Sequence, residues 1–128
     1  MNIIGFGTDI IEIERIKNFL KKNSKFKKRI FSSGEIKYCL KQKNKFNCFS
    51  KRFAAKEAFT KALGTGVSKG IKFKEIEVKK NKLKKPFIKL NGNTMKISRK
   101  LIKEKNFKIF LSLSDEKKYA LASVIIAK

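Results

Sequence analysis

The sequence predicts an α+β fold, in which a helix-rich N-terminal half packs on a small, mostly antiparallel sheet. Two observations lead to this fold class. Apolar residues recur at three- and four-residue spacings before Gly64, whereas apolar and polar residues alternate after Gly70. The chain has 128 residues, and domains cluster near ~100–150 residues. We therefore expect residues 1–128 to form a single domain.

The N-terminal half is predicted to contain one strand and three helices. Glycines 5 and 7 mark positions in the strand where other backbone can approach closely. The segment from Ser32 to Glu35 has the spacing of a capping box. The predicted elements are a strand over 2–9, a helix from Ile11, a helix through about Leu40, and a long helix from about Phe49 to Leu63 closed by Gly64.

The C-terminal half is predicted to be mostly strand. Alternating apolar residues suggest two strands joined by the turn 81–86, and a second turn at 91–93 precedes a helix. An antiparallel hairpin should close the chain. The predicted elements are strands around 76–78 and 87–90, an amphipathic helix over 94–105, and strands over 107–114 and 119–127.

The strongly basic composition permits two interpretations. The chain has 34 basic and 10 acidic residues and a formal net charge of +24. Such a charge suits an anionic partner, such as nucleic acid, a phosphate compound or an acidic protein. However, 30 of the basic residues are Lys, as a strongly A/T-rich genome would encode. The four Arg are the better candidates for specific anion contacts, because guanidinium binds phosphate in a bidentate manner.

Other classes of protein are excluded by simple counts. No apolar run approaches the ~18 residues of a membrane span, and no basic segment precedes the apolar N-terminus as in a signal peptide. We expect a cytoplasmic protein that does not act in a membrane. We also expect Cys39 and Cys48 to be reduced thiols. The absence of histidine argues against a zinc site.

Two acids stand out in this basic chain, although each has a simpler explanation. Asp9 ends an apolar, strand-like run but could cap the helix that follows. Glu57 lies on the long helix opposite a core face of Ala55, Phe59 and Ala62, and it could form a surface pair with Lys61. Similarly, the turn at 64–66 could be only a helix C-cap. The small residues at 54 and 58 leave room beside Glu57 for another element or a ligand.

Two long sequence motifs, each of which contains one of these two acids, make a functional interpretation of the pair more specific. The segments GFGTDIIEIERI (5–16) and KRFAAKEAFTKALGTG (51–66) resemble those of the holo-[acyl-carrier-protein] synthases, the small bacterial branch of the 4′-phosphopantetheinyl transferases. The resemblance extends over the whole chain through FKEIEV (73–78), Lys-Pro (85–86) and LSLSDEKKYA (111–120). It implies one 4′-phosphopantetheinyl transferase domain over 1–128.

The resemblance implies a specific reaction. Enzymes of this family transfer the 4′-phosphopantetheine arm of coenzyme A to a serine of apo acyl carrier protein, in support of fatty acid biosynthesis, and release adenosine 3′,5′-bisphosphate. By similarity, Asp9 and Glu57 would bind Mg²⁺ together with pyrophosphate oxygens of coenzyme A. Asp9, Glu57 and Lys61 are then the expected catalytic residues. The base that deprotonates the serine is either Glu57 or a water on the metal.

Contacts to coenzyme A and to a second subunit are also implied by the resemblance. Lys61 should reach the pyrophosphate or the transferred phosphate, and Gly64 should let backbone approach the cofactor. The remaining coenzyme A contacts carried over from the family are Arg52, Lys43, Lys45 and Ser112. The family assembles as homotrimers with interfacial active sites, and Ser112 would serve a neighbouring subunit. Phe110 replaces a histidine that is common in the family.

The family's protein partner is an acidic helical carrier. Arg15 matches the position from which the family contacts that carrier, and further cations extend the basic surface: Lys21, Lys22, Lys25 and Arg29. The alternative is a small basic nucleic-acid-binding protein. That alternative is disfavoured because the Phe residues have core-like spacings rather than those of a stacking platform. A catalytically inactive relative is the third possibility.

Overall fold

The computed structural model describes residues 1–66 and 68–128. It confirms the α+β class. The elements, in chain order, are β1 (Ile3–Glu12), α1 (Ile13–Lys22), α2 (Ser24–Ile30), α3 (Ser33–Leu40), α4 (Lys45–Leu63), a 3₁₀ turn (Phe73–Glu75), β2 (Ile76–Lys80), β3 (Pro86–Leu90), α5 (Gly92–Ile102), β4 (Lys108–Asp115) and β5 (Tyr119–Ala127).

The strands form two antiparallel sheets. The larger sheet has the order β1-β5-β4, and the smaller one pairs β2 with β3. The register of the larger sheet places Thr8, Ser123 and Ser112 side by side across its three strands. The predicted C-terminal hairpin is therefore confirmed. The first strand of the chain closes the sheet by pairing with the last.

The long helix α4 packs directly on β1. A Cβ at Gly5 or Gly7 would overlap the carbonyl oxygen of Ala62 or Ala58, respectively. The predicted close approach of backbone at these two glycines is thus confirmed. The space beside the small residues of α4 is filled by β1, so helix and strand pack without large side chains between them.

Several element boundaries differ from the predicted ones. β1 extends to Glu12, and the basic stretch after α1 forms a separate helix, α2. α4 begins at Lys45, since Phe46 and Phe49 add apolar contacts to its first turns. α5 ends at Ile102 because Lys103 adopts a left-handed conformation, with φ 62°.

The expectation of reduced cysteines is wrong in this structure. Cys39 near the end of α3 and Cys48 in the first turn of α4 form a disulfide, with 5.4 Å between their Cα atoms. The short connection between the two helices folds them back on each other, so the two side chains face one another. Among the described residues there is no free cysteine.

One face of the larger sheet is covered and the other is open. Alternate residues of β5, such as Ala120, Ala122 and Val124, are fully buried beneath α4. The opposite face exposes apolar side chains: Phe6, Ile10, Phe110, Tyr119 and Leu121. The sheet therefore presents an apolar surface, here called the outer face, to the outside of this chain.

Within residues 1–66 and 68–128, the structure contains no helix that combines the length and the apolar character required to cross a bilayer.

Candidate functional site

Asp9 lies within β1, where it pairs with Ala122 of β5. Its side chain belongs to the same strand face as the buried Gly7 and Ile11, and this face meets α4. The N-cap of α1 is Glu12, which makes no side-chain capping bond. The helix-cap explanation of Asp9 is therefore wrong. Its carboxylate is directed to the contact between strand and helix.

Glu57 approaches Asp9 from α4. Burial raises the pKa of the Glu57 carboxyl above its usual range, and the negative charge of Asp9 raises it further. The positive charge of Lys61 opposes both effects. The charges of the two acids therefore act on each other, and two carboxylates brought together repel unless a cation lies between them.

Lys61 bridges the two elements. Its Nζ donates to the backbone carbonyl of Thr8 at 3.0 Å and to Asp9 Oδ1 at 3.2 Å. Lys61 thus forms an ion pair with Asp9. Among the described residues, the predicted ion pair between Lys61 and Glu57 on the helix is not formed. The surface-pair explanation of Glu57 is therefore wrong as well.

A groove of about 990 Å³ begins at the two acids. Its apolar surface includes Phe19 and Phe26, whose stacked ring centroids lie 4.9 Å apart, together with Phe53 and Phe73, whose rings meet edge to face. Five cations also line it: Arg15, Lys28, Arg29, Lys72 and Lys74. The groove thus combines an apolar floor with basic walls beside a pair of carboxylates.

The structure places only some of the predicted partner contacts in this groove. Arg15 and Arg29 line it, whereas Lys21, Lys22 and Lys25 are exposed and are not among its lining residues. Lys28, Lys72 and Lys74 also line the groove, although the sequence did not predict them as partner contacts. Nothing distinguishes these three from the other lysines in the sequence, and only the fold brings Lys72 and Lys74 opposite α1.

A buried ion pair fixes one wall of the groove to α4. Lys56 is 0% exposed, and its Nζ donates to both oxygens of Glu35, at 2.8 and 3.0 Å. The same ammonium donates to the carbonyls of Phe73 and Ile76. Burial lowers the pKa of Lys56, and the carboxylate of Glu35 opposes that change. Lys56 therefore holds segment 73–76 against the helix that carries Glu57.

Glu35 takes part in a second set of contacts. Its carboxylate accepts from the backbone N–H of Ser32, as a capping box requires, and from that of Val78. The predicted capping box of α3 is confirmed. The buried carboxylate of Glu35 thus links α3, α4 and β2. The spacing of residues in the sequence predicts the capping box but not the contacts with α4 and β2.

A second, smaller cavity of about 370 Å³ lies near the start of α4. Arg52 is 3% exposed, its guanidinium carbon lies 4.7 Å from the centroid of the Tyr38 ring, and its Nη1 donates to the Cys48 carbonyl at 3.3 Å. Its Nε has no hydrogen-bond partner. The cavity's cationic lining suits a phosphate group and consists of Lys43, Lys51, Arg52, Lys80 and Lys84.

The other predicted contact residues lie elsewhere. Lys45 is exposed and its Nζ lies 5.3 Å from the Phe46 ring centroid, outside the smaller cavity. Gly64 ends α4 with φ 86° and has open space around its Cα, so the predicted C-cap is confirmed. Ser112 lies on the outer face of the sheet, on the side away from α4.

The donors at Asp9 and Glu57 fit a Mg²⁺ ion. Mg²⁺ in proteins is usually held by one or two carboxylates while substrate phosphates and water supply its other ligands. The described residues contain no group of three or more acidic, cysteine or histidine side chains that could hold a metal by themselves. A site of two acids beside basic walls therefore suits a metal that is shared with a phosphate substrate.

The chain matches a family model described as the 4′-phosphopantetheinyl transferase superfamily over residues 5–124. It is 50% identical over 128 residues to the holo-[acyl-carrier-protein] synthase of Pelagibacter ubique, covering 100% of this chain and 99% of that protein. It is 46% identical over 124 residues to the corresponding enzyme of Clostridium tetani, covering 97% of this chain and 95% of that protein.

Solved structures agree with these matches. The holo-[acyl-carrier-protein] synthase of Neisseria meningitidis superposes with a TM-score of 0.86 and 35% identity, over 98% of this chain and 99% of that one. The Helicobacter pylori enzyme, solved in complex with coenzyme A, gives a TM-score of 0.80 and 31% identity, over 95% and 99% of the two chains. These similarities give no support to the nucleic-acid-binding alternative.

Proposed function

Because the chain belongs to the 4′-phosphopantetheinyl transferase superfamily, we propose that the groove and the smaller cavity together form the active site for the reaction of its curated relatives. The enzyme transfers the 4′-phosphopantetheine arm of coenzyme A to a serine of apo acyl carrier protein. A bond forms between the serine oxygen and the β-phosphorus. The bond from that phosphorus to the bridging oxygen breaks, and adenosine 3′,5′-bisphosphate leaves.

Asp9 and Glu57 hold Mg²⁺ in this proposal. Both acids line the groove, Asp9 from β1 and Glu57 from α4, and two carboxylates brought together repel each other unless a cation lies between them. When bound, the metal stabilises negative charge on the phosphate oxygens. The serine proton passes to Glu57 or to a water, since the chain has no histidine.

The smaller cavity binds the phosphate-bearing adenosine end of coenzyme A. Arg52 supports this assignment because it is held in place by the Tyr38 ring and the Cys48 carbonyl while its Nε has no partner. Lys43 lines the same cavity. α4 thus carries a phosphate-binding residue in its first half and the metal ligand Glu57 further along, so one rigid helix orients both ends of the reacting part of the cofactor.

The groove receives the carrier protein. An acidic helix with an apolar side matches both its basic walls and its aromatic floor. Arg15 and Arg29 contribute from the α1–α2 wall, and Lys72 and Lys74 contribute from the opposite wall. This docking brings the carrier serine to the end of the groove where the two acids lie.

The outer face supports assembly as a homotrimer. Phe6 is 61% exposed and Ile10 is 62% exposed on a sheet face that no element within residues 1–66 and 68–128 covers. Burial of such a face against further copies is favourable, because apolar surface is removed from water. Ser112 lies on this face, so a neighbouring copy can bring its active site to Ser112. Phe110, in the position of the family histidine, contributes to this contact rather than to proton transfer.

The position of Asp9 and Glu57 in one groove is the observation that carries the proposal, and a mass measurement tests it. Incubation with coenzyme A, Mg²⁺ and apo acyl carrier protein should add the mass of a phosphopantetheine group to the carrier. The variants Asp9→Ala and Glu57→Ala should abolish this gain. Glu104→Ala is the matched control, because it removes an exposed acid from outside the groove and the smaller cavity. No gain with the unmodified protein, or a full gain with either active-site variant, would refute the proposal.

A further inference from the structure

The ammonium group of Lys61 pairs with the Asp9 carboxylate. Its Nζ lies 3.2 Å from Asp9 Oδ1 and 3.0 Å from the Thr8 carbonyl oxygen. The Asp9 side chain is only 15% exposed, whereas that of Lys61 is 53% exposed. The acid is therefore held within the strand–helix contact, while its cationic partner comes from the open side and is free to move away.

This contact neutralises a charge that would otherwise be unpaired. Asp9 and Glu57 repel each other, and Lys61 is the cation that reduces this repulsion. A divalent ion that binds Asp9 and Glu57 takes over the same task. Because the ammonium and the metal are both positive and both need Asp9, they cannot occupy it together without a repulsion of their own.

We propose that Lys61 is a built-in counter-ion that competes with the divalent metal for Asp9, and that coenzyme A relieves this competition by offering phosphate oxygens to the Lys61 ammonium. This inference rests on the proposed function. Metal and coenzyme A then bind cooperatively, each raising the affinity for the other by the same factor. A free metal ion binds weakly, and the site fills when the phosphate substrate is present.

The side chain of Lys61 suits this exchange. An ammonium on a flexible four-carbon stem can turn from one acceptor to another, whereas a planar guanidinium is more restricted in its contacts. Both present acceptors of Lys61 lie on β1, and one of them is a neutral carbonyl. The phosphate groups of coenzyme A carry more negative charge than the Thr8 carbonyl and the Asp9 carboxylate together. Movement of the Lys61 ammonium from these two acceptors to a phosphate is therefore favourable once coenzyme A is bound.

Binding of Mn²⁺ alone, measured by isothermal titration calorimetry without coenzyme A, tests the proposal. Lys61→Gln removes the competing cation, so Mn²⁺ should bind on the order of tenfold more tightly than to the unmodified protein. Lys61→Arg retains a cation and should keep the affinity low. Lys128→Gln is the matched control, since Lys128 also pairs with an acid, but that acid, Glu104, is not a proposed metal ligand and does not line the groove. Thermal unfolding confirms that each variant is folded.

The second measurement repeats the titration with saturating coenzyme A. The gain in Mn²⁺ affinity caused by coenzyme A should be smaller in Lys61→Gln than in the unmodified protein. A folded Lys61→Gln protein that binds Mn²⁺ alone no better than the unmodified one, or not measurably, would overturn the proposal. If the unmodified protein fails to bind coenzyme A, the proposed function fails, while the first titration still decides the role of Lys61.

Discussion

Gly7 of β1 lies so close to Ala58 of α4 that a Cβ at Gly7 would overlap the Ala58 carbonyl oxygen. This contact sets the distance between the strand that carries Asp9 and the helix that carries Glu57. Asp9 lies two residues after Gly7 on the strand, and Glu57 lies one residue before Ala58 on the helix. The spacing of the proposed metal ligands therefore depends on the absence of a side chain.

Gly7→Ala should reduce both stability and activity. The added methyl group meets backbone rather than a flexible side chain, so α4 must move, and overpacking of this kind costs about 1–3 kcal/mol. Urea denaturation and the carrier-modification assay measure the two effects. Gly34→Ala is the control, because its Cβ would meet side-chain atoms rather than backbone, Glu77 Oε2 at 3.2 Å and Ser32 Oγ at 3.9 Å. A Gly7→Ala protein of normal stability and activity would show that this contact does not position the site.

Lys56→Met should strongly destabilise the protein. It leaves the buried Glu35 carboxylate without its cation, and breaking a buried pair in this way costs about 3–5 kcal/mol. The double variant Glu35→Gln/Lys56→Met should recover part of the loss, since it removes the uncompensated charge. Urea denaturation gives the comparison. Equal stability of the single and double variants would contradict this account of the pair.

Glu57→Gln should stabilise the metal-free protein at neutral pH although it inactivates the enzyme. Burial and Asp9 raise the pKa of Glu57 in the folded state above its ordinary value of 4.5. The folded state then binds the proton more tightly than the unfolded state, so the contribution of Glu57 to stability is full below pH 4.5 and is lost as pH rises through the folded pKa.

The unfolding temperature in EDTA, measured from pH 4 to pH 8, checks this prediction. The advantage of Glu57→Gln over the unmodified protein should be smallest at the acidic end and should grow as Glu57 ionises. An advantage that shrinks with rising pH would contradict the proposed repulsion. In the presence of Mg²⁺ and coenzyme A, loss of this proposed metal ligand should lower kcat on the order of a hundredfold or more.

Phe6→Lys should dissociate the proposed trimer. It places a charge on the apolar outer face, where association would bury the charge without a partner. Size-exclusion chromatography with light scattering should give a trimer for the unmodified protein and a monomer for the variant. Leu83→Lys is the control, since Leu83 is 89% exposed but lies in the β2–β3 turn. A monomeric unmodified protein would refute the assembly.

Arg15→Glu should weaken recognition of the carrier protein. Reversal of a charge on the groove wall replaces attraction by repulsion, so the KM for the carrier should rise on the order of tenfold or more while the KM for coenzyme A changes little. The effect should diminish at high salt. Lys100→Glu on α5 is the control, because it reverses a charge outside the groove. Equal effects of the two variants would indicate a response to net charge alone.

The pattern of apolar residues predicted most elements because the periods of helices and strands are local properties. The capping box of α3, the end of α4 at Gly64 and the C-terminal hairpin are confirmed for this reason. The boundaries of β1 and α4 were wrong where packing extends an element beyond its local pattern. The disulfide was missed because it depends on how α3 and α4 fold back on each other.

The sequence by itself determined the class of fold and, through its motifs, the family; it also predicted Asp9 and Glu57 as candidate metal ligands. It did so because hydrophobic period, glycine positions and rare residue types are written directly in the chain. Only the tertiary structure decided which groups come together: Lys61 with Asp9 rather than Glu57, Glu35 with Lys56, and Lys72 and Lys74 in the same groove as Arg15. Such contacts join residues that are distant in sequence, so they depend on how the helices and strands pack and not on any local pattern.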